Sequence, residues 1–354
     1  MKNLDRMVSF LLKNANPSIV YRIKNEILQD ISEEEENKLQ ELILSEKIVQ
    51  EIINCQKDNG WLGNGYHGSN RNAGQFTNME AGVKYLAEKG VRKDAGVLKR
   101  AMIAFKELPN TAPCYRNSWN IGDEFKYAAN GANLFRCACI ARAGYEDFVD
   151  ISPQIQLSLD SFRRVLEVDS ILDITRLVKK GTKRVFNNFE KWPCRYHLDI
   201  LAHTNSWKTK ENSEMLAESV HKIMKDDRQE LIGLKADSWV GYVLGTCGCF
   251  PSQGFKLVDE IDGVSYYHLE YLIWLAKCGV VPYSPVLKEI VETIYNSVNE
   301  DGICEIAVHD SLFKDWGTYA GLQLEVDWKS KVRKQCDITF RALQLCYYSA
   351  FSKL

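Results

Sequence analysis

The chain has little of what marks several broad classes of protein. Only 8 of its 354 residues are proline, and runs of alternating β-branched residues are scarce, which disfavours a fold built on sheets. Its 45 Lys and Arg residues are balanced by 47 Asp and Glu residues, so it lacks the basic excess of a nucleic-acid-binding surface. It also lacks the run of about eighteen apolar residues that crosses a membrane. We therefore predict no nucleic-acid partner and no membrane span.

The N-terminus and the cysteines indicate the compartment. Asp5 and Arg6 interrupt the place where an export signal would begin its apolar core, and the apolar run Met7–Leu12 is too short for one. The 11 cysteines are an odd number, and Cys137 and Cys278 lie inside apolar helical patterns, as reduced core residues do. We expect a cytoplasmic protein whose cysteines do not form a disulfide framework.

Helical periodicity dominates the chain. In segment after segment, apolar residues recur at positions i, i+3, i+4 and i+7, which is the spacing of one helix face. Asn16 before Pro17 predicts a helix start, with an N-cap residue followed by proline in the first helical position. Ser32 before Glu33–Glu36 predicts a second start with an acidic first turn. The predicted class is all-α.

A loose repeat begins after residue 50, in which a turn precedes an apolar helix and a more charged helix follows. Gly90, Gly144 and Gly279 are predicted to close three apolar helices in the left-handed conformation. Ser-Pro pairs at 152–153 and 284–285 are predicted to begin two of the charged helices. Hairpins of this kind can close into an α/α toroid, which is a barrel of helical hairpins. We predict a short N-terminal helical extension at residues 1–45 and a toroid at residues 46–354. An open solenoid is the alternative.

The stretch "QKDNGW", Gln56–Trp61, resembles the repeat of the prenyltransferase and squalene oxidase superfamily, which includes terpenoid cyclases and protein prenyltransferases. In outline the chain is most similar to uncharacterised bacterial members. Gln56 offers an amide to helix-end carbonyls, Gly60 permits a positive φ, and Trp61 buries a large area at the joint between hairpins. A second stretch, Asn299–Glu305, is similar, with Cys304 in place of the aromatic residue. The resemblance implies an α/α toroid with a central cavity for a small hydrophobic ligand.

The chemical motifs of that family are missing. Terpenoid cyclases of one class protonate an alkene with an Asp-x-Asp-Asp acid, and the nearest string here, "DEID", places Asp259 and Asp262 ahead of an apolar helix. These two carboxylates could instead cap that helix or lie in solvent.

The zinc ligands of protein prenyltransferases are missing as well. They are an Asp, a Cys two residues later and a distant downstream His, whereas Asp301 and Cys304 are one residue too far apart and no histidine follows His309. Cys247 and Cys249 form only a lone Cys-x-Cys pattern. We predict no metal and no cofactor.

Polar residues recur in the first turn of each predicted apolar helix, and in a toroid these turns would face the central cavity. Carboxylates and imidazoles that converge there could act as acid and base. The alternative is that they cap helices and link neighbouring hairpins. The catalytic candidates are His197, Asp199, His268 and Asp262, and the cavity-lining candidates are Tyr66, His67, Glu80, Asp123, Tyr127, Tyr196, Tyr267 and Asp337.

Three functions remain open from the sequence. The first is a terpenoid cyclase-like or prenyltransferase-like protein that holds a small hydrophobic ligand. The second is a carbohydrate-processing enzyme, because α/α toroids also carry glycosidases and lyases, in which two carboxylates about 5 to 9 Å apart flank the sugar bond. The third is a non-enzymatic binding or scaffold protein. Whether the chain is an enzyme, and which protein partners it has, is not indicated.

Overall fold

The computed structural model describes residues 2–63, 76–107, 132–178, 183–187, 192–225, 266–306 and 324–351. The helices in these ranges are α1 Lys2–Asn14, α2 Pro17–Arg22, α3 Glu33–Ser45, α4 Lys47–Asn54, α5 Met79–Glu88, α6 Gly96–Lys106, α7 Ala132–Arg142, α8 Ser152–Glu167, α9 Arg195–Ala202, α10 Lys210–Lys225, α11 Tyr266–Lys277, α12 Pro285–Asn296 and α13 Lys331–Phe351. The predicted all-α class is confirmed. Within these ranges, no helix combines the length and the low polarity needed to cross a membrane.

One β-hairpin is an exception that the sequence analysis does not predict. Strand β1, Thr175–Val178, pairs antiparallel with β2, Lys183–Phe186, so that Thr175 faces Phe186. A short 3-10 turn precedes β1, and Ser170 and Asp173 cap it reciprocally. Two strands of four residues are too short to give a clear alternating pattern, which is why periodicity alone did not find them.

The predicted N-terminal caps are confirmed. The side chain of Asn16 accepts the N–H of Ile19 at 3.1 Å, and Pro17 is the first residue of α2. The hydroxyl of Ser32 accepts the N–H of Glu35 at 3.2 Å. After α2 the chain continues as a π-helical turn, Ile23–Leu28.

The glycines predicted to close three apolar helices do so. Gly90, Gly144 and Gly279 have φ values of 79°, 74° and 71°, which a side chain rarely tolerates. α12 begins at Pro285, as predicted from the preceding serine. α8 differs from the prediction, because Ser152 is its first residue and the side chain of Asp150 accepts the Ser152 N–H at 3.0 Å.

The chain divides into two compact units. The first contains the described residues of 2–107, 266–273 and 287–351, and the second contains those of 132–225 and 274–286. In the second unit, apolar α7 packs beside apolar α9, and charged α8 packs beside charged α10 and against α9. In the first unit, α5 packs against α6, α2 against α3, and α1 along α13. All eight residues of α9 are buried, as expected of a helix that has neighbours on every side.

The turn after α4 has the positive φ and the buried tryptophan predicted from its sequence, but its glutamine does not bind the carbonyls of a helix end. The Gln56 amide donates to the carbonyl oxygens of Gly60 at 3.0 Å and Val97 at 2.9 Å. Gly60 has a φ of 83°, and a Cβ there would lie 2.2 Å from the carbonyl oxygen of Arg100 in α6. Trp61 is 1% exposed. The turn therefore joins α4 to α6 through a backbone approach that only glycine permits.

The turn after α12 repeats this geometry. Val298 and Cys304 form an antiparallel bridge, as Gln56 and Leu62 do in the first turn. Gly302 has a φ of 82°, and a Cβ there would lie 2.2 Å from the carbonyl oxygen of Arg6 in α1. α1 thus lies against the second turn as α6 lies against the first.

The structure of the second turn corrects the prediction that Cys304 takes the place of the aromatic residue. The N–H of Asn299 donates to the carbonyl of Ile303 at 3.0 Å, as Lys57 donates to Trp61 at 2.9 Å in the first turn. Ile303, and not Cys304, therefore occupies the position of the aromatic residue. Cys304 corresponds to Leu62, and both are buried.

Candidate functional site

The predicted site residues divide into three sets by what the structure describes. The side chains of Glu80, Tyr196, His197, Asp199 and Asp337 are described and buried. Tyr267 and His268 lie in the first turn of α11, and their side chains are not described. The remaining candidates, Tyr66, His67, Asp123, Tyr127 and Asp262, together with Cys247 and Cys249, lie outside the described residues.

Glu80 and His197 both interact within their own helices. Glu80, in the first turn of α5, forms an ion pair of 3.0 Å with Lys84, and both side chains are buried. His197 Nδ1 accepts the N–H of Cys194 at 2.9 Å, which caps the start of α9. The His197 contact is that of the capping alternative, whereas the Glu80 ion pair lies along one helix and caps no helix end.

Asp337 binds the backbone of the segment that precedes its helix. Because α13 begins at Lys331, Asp337 is not in the first turn, and that part of the prediction is wrong. Its carboxylate accepts the N–H groups of Leu324 at 2.9 Å and Glu325 at 3.2 Å, and the indole N–H of Trp328 at 2.6 Å. Asp337 therefore anchors residues 324–328 to α13.

Asp199 is the centre of a buried charged group in the second unit. It is 0% exposed. Arg142, the last residue of α7, reaches Asp199 Oδ1 from Nε at 3.1 Å and from Nη2 at 3.0 Å. His203, just after α9, lies with Nδ1 3.0 Å from the same oxygen. One carboxylate thus joins the ends of two apolar helices.

His203 extends this group to α11. Its Nδ1 faces the Asp199 carboxylate and, at 2.8 Å, the Asp199 carbonyl, which are both acceptors, so Nδ1 carries the hydrogen. Nε2 lies 3.5 Å from Nζ of Lys277, the last residue of α11. Burial and the Lys277 charge lower the pKa of His203 to about 4, although Asp199 opposes the shift. The imidazole is therefore neutral at pH 7, and Nε2 accepts a hydrogen bond from the ammonium group.

Trp274 adds an aromatic surface to the same place. The guanidinium carbon of Arg142 lies 5.1 Å from the centre of the Trp274 ring, and that of Arg195 lies 5.9 Å from it. Both distances suit a cation–π interaction. The ring of Tyr196 packs against that of Phe135 in α7, with the ring centroids 4.4 Å apart and the ring planes tilted by 50°. We call Arg142, Asp199, His203, Trp274 and Lys277 the helix-end cluster.

The helix-end cluster is suited to holding charges in place. An imidazole with a pKa of about 4 is a weak base at neutral pH, so the Asp199–His203–Lys277 chain does not readily pass a proton from Lys277 towards Asp199. Instead, the cationic side chains of Arg142 and Lys277 lie at helix C-termini, where the helix dipole favours positive charge. Asp199 balances part of that charge.

The sequence carries a signal for the helix-end cluster that the polar first turns do not include. Arg142, His203 and Lys277 each follow an Ile-Ala or Leu-Ala pair near the end of an apolar helix. In the first unit, Glu88 follows Leu86 and Ala87 in the same way. The repeat thus places a titratable residue at one position of several apolar helices.

Neither a metal site nor a reactive thiol arises from the described residues. No three His, Cys, Asp or Glu side chains of these residues come together as metal ligands. Burial raises the pKa of Cys304, whose sulfur lies 3.4 Å from the Ser297 hydroxyl oxygen. Cys304 is thus a protonated core thiol at neutral pH.

A surface pocket of about 320 Å³ lies between α1 and the second turn, lined by Lys2, Arg6, Phe10 and Asp301 among others. None of the predicted site residues lines it. No protein-family model, curated protein or solved structure gives a significant match to this chain. The resemblance to terpenoid cyclases and prenyltransferases therefore stays a prediction from the repeat pattern of the sequence.

Proposed function

We propose that this protein is an α/α toroid that binds a small apolar molecule, and that it resembles terpenoid cyclases and prenyltransferases in architecture without their acid chemistry. In the second unit, apolar helices pack beside apolar helices and charged helices beside charged ones. That arrangement is typical of an inner and an outer layer of hairpins. The two equivalent glycine turns support the same repeat.

The proposal depends on one observation: the buried polar residues form hydrogen bonds and ion pairs with their own helices and with neighbouring backbone groups. Glu80 pairs with Lys84, His197 caps its own helix, and Asp337 binds backbone N–H groups. A catalytic acid must hold a proton within reach of the substrate. These three groups are 0% exposed and hydrogen-bonded to their own hairpins, so they favour a binding function over alkene protonation.

The apolar character of the ligand is inferred from the aromatic residues of the apolar helices. Tyr196 and Trp274 are almost fully buried and lie on α9 and α11. Aromatic side chains supply large contact areas for apolar ligands. Tyr196 is the described member of the predicted cavity lining with such a ring.

The experiment is a binding titration. Purified protein is extracted with organic solvent to identify co-purified molecules, and is then titrated with isoprenoid alcohols, fatty acids and oligosaccharides while tryptophan fluorescence is measured. We expect saturable binding of an apolar compound, weakened by Tyr196→Ala and unchanged by Leu177→Ala, which alters an exposed side chain. Saturable binding of oligosaccharides alone, or of no compound, would overturn the proposal.

A further inference from the structure

A second group of buried charges lies in the first unit, around the segment that leads into α13. It contains the carboxyl groups of Glu46, Glu325 and Asp337 and the ammonium group of Lys89. Glu325 is 5% exposed and Asp337 and Lys89 are no more than 1% exposed. Lys89 forms an ion pair with Glu46 and also donates to the carbonyl of Leu324. This group thus contains three carboxyl groups and one buried ammonium group, which pairs with Glu46.

The hydrogen bonds of Asp337 and Glu325 indicate which of the two carboxyl groups can be protonated without losing a donor. Asp337 accepts from two backbone N–H groups and from the Trp328 indole, and three donors favour its ionised form. Glu325 accepts one N–H, that of Asn16, at 2.9 Å on Oε1. Its other oxygen is therefore the place for a hydrogen.

The neighbouring cations already have partners. Lys89 is paired with Glu46, Arg333 with Asp327 at 2.9 Å, and Arg341 with Glu88. Among the described residues, neither Glu325 nor Asp337 forms an ion pair of its own. A second negative charge beside Asp337 would therefore meet no cation that is ready to receive it.

We propose that Glu325 gains and loses a proton near neutral pH, and that its protonated carboxyl group, the Asn16 cap of α2 and Asp337 form a pH-sensitive clamp on residues 324–328. The clamp closes when Glu325 is protonated. It opens when Glu325 loses its proton, because the new charge repels Asp337 across a buried site. The Leu324 carbonyl also accepts from the Asn16 amide, so polar contacts at Leu324 and Glu325 bind the segment to the start of α2 and to α13.

The electrostatics of the site agree with this geometry. The pKa of Glu325 is raised to about 7, mainly by burial and also by the Asp337 charge, while the Asn16 N–H, Lys89 and Arg333 oppose the shift. Burial also raises the pKa of Asp337, which Arg341 opposes. Two other neighbours stay neutral, because burial raises the pKa of Cys336 to about 12 and that of Tyr85 still higher. The clamp is therefore poised to respond between about pH 6 and 8.

The test is hydrogen exchange of the Leu324, Glu325 and Asn16 amides in the full chain, corrected for the intrinsic effect of pH. With a pKa of about 7, the protonated fraction of Glu325 falls from about one half at pH 7 to about one tenth at pH 8. We expect protection of these amides to fall by the same factor, about fivefold, between pH 7 and 8. In Glu325→Gln, whose neutral amide still accepts from Asn16, protection should stay constant.

Asp327→Asn is the matched control, because it removes a partly exposed carboxylate from the same segment. It should keep the wild-type pH response. If Glu325→Gln does not fold, the carboxyl group of Glu325 can be titrated in the wild-type chain by carbon NMR. Equal pH responses in wild type and Glu325→Gln, or a Glu325 carboxyl group that titrates below pH 5, would overturn the proposal.

Discussion

At the scale of single residues, Asp199 illustrates how a buried charge depends on its partners. Arg142 donates two hydrogen bonds to one of its oxygens, and His203 approaches the same atom. Removing one member of a buried ion pair leaves the other charge in a low-dielectric site, which costs about 3 to 5 kcal/mol. Exposed pairs are worth much less, about 0 to 1 kcal/mol.

Asp199→Asn should therefore lower the free energy of unfolding by about 3 kcal/mol. Denaturant unfolding followed by circular dichroism measures the change. Asp160→Asn is the control, because Asp160 pairs with Arg163 one turn away at the surface, and its removal should cost less than about 1 kcal/mol. Similar losses in both variants would mean that burial does not set the strength of the Asp199 contacts.

His203 should make stability depend on pH. Its pKa is about 4 in the folded chain against an ordinary value of 6.5, so between these values the unfolded chain binds a proton that the folded chain does not. Stability is then complete above pH 6.5 and falls by up to about 1.4 kcal/mol per pH unit as the pH drops towards 4.

His203→Gln removes this titration. The slope of unfolding free energy against pH between 4.5 and 6.5 should become less positive than in the wild type. Glu325 acts with the opposite sign, because its raised pKa makes stability fall as the pH rises from about 4.5 to about 7. An unchanged slope in His203→Gln would show that His203 has an ordinary pKa.

At the scale of elements, the two glycine turns show how one local pattern is used twice. Both glycines have positive φ, and at both a Cβ would lie 2.2 Å from the carbonyl oxygen of another helix. The first turn was predictable, because its Gln, Gly and Trp act within a few residues of one another. The partners, α6 and α1, were not predictable from the turn, since they approach from elsewhere in the chain.

Four glycine-to-alanine variants separate backbone strain from steric clash. Gly96→Ala, in a helix with nothing within 4 Å of the new Cβ, should stabilise by about 0.5 to 1 kcal/mol. At Gly144 the new Cβ has nothing within 4 Å, so Gly144→Ala adds only the strain of a side chain at a φ of 74°. It should lower the free energy of unfolding by about 1 to 2 kcal/mol. Gly60→Ala and Gly302→Ala add a clash between the new Cβ and a carbonyl oxygen. In thermal unfolding, both should therefore lower stability more than Gly144→Ala does. A loss at Gly302 no larger than at Gly144 would contradict the close approach to Arg6.

At the scale of the whole molecule, the N-terminal helix is part of the first compact unit. Met7 and Leu11 of α1 are fully buried, and α1 packs along α13. The side chain of Asn3 donates to the carbonyl of Tyr295 at 2.9 Å. α1 is thus bound to both α12 and α13.

Met7→Ala and Leu11→Ala should each lower the free energy of unfolding by about 2 to 5 kcal/mol, the range for large-to-small changes in a core. Leu42→Ala, at a side chain that is 45% exposed, is the control and should change it little. Denaturant unfolding measures all three. Losses at Met7 and Leu11 as small as at Leu42 would mean that α1 is not packed on α13.

The sequence by itself determined the features that act over one or two helical turns. The helical class, the caps at Asn16 and Ser32 and the closing glycines follow from contacts between residues at most about five positions apart. The same reasoning picked out Glu80, His197 and Asp199, because polar residues are conspicuous within apolar helices. It missed the β1–β2 hairpin, whose strands are too short for a period.

Only the tertiary structure decided the partners of those residues. Asp199 meets Arg142 from 57 positions earlier, and His203 meets Lys277 from 74 positions later. Both contacts depend on how neighbouring helices are rotated, which no local pattern records. The pKa values of His203 and Glu325 depend in the same way on burial and on charges brought from distant segments. The chemistry of a buried polar side chain is therefore set by the packing around it, although its presence could be seen in the sequence.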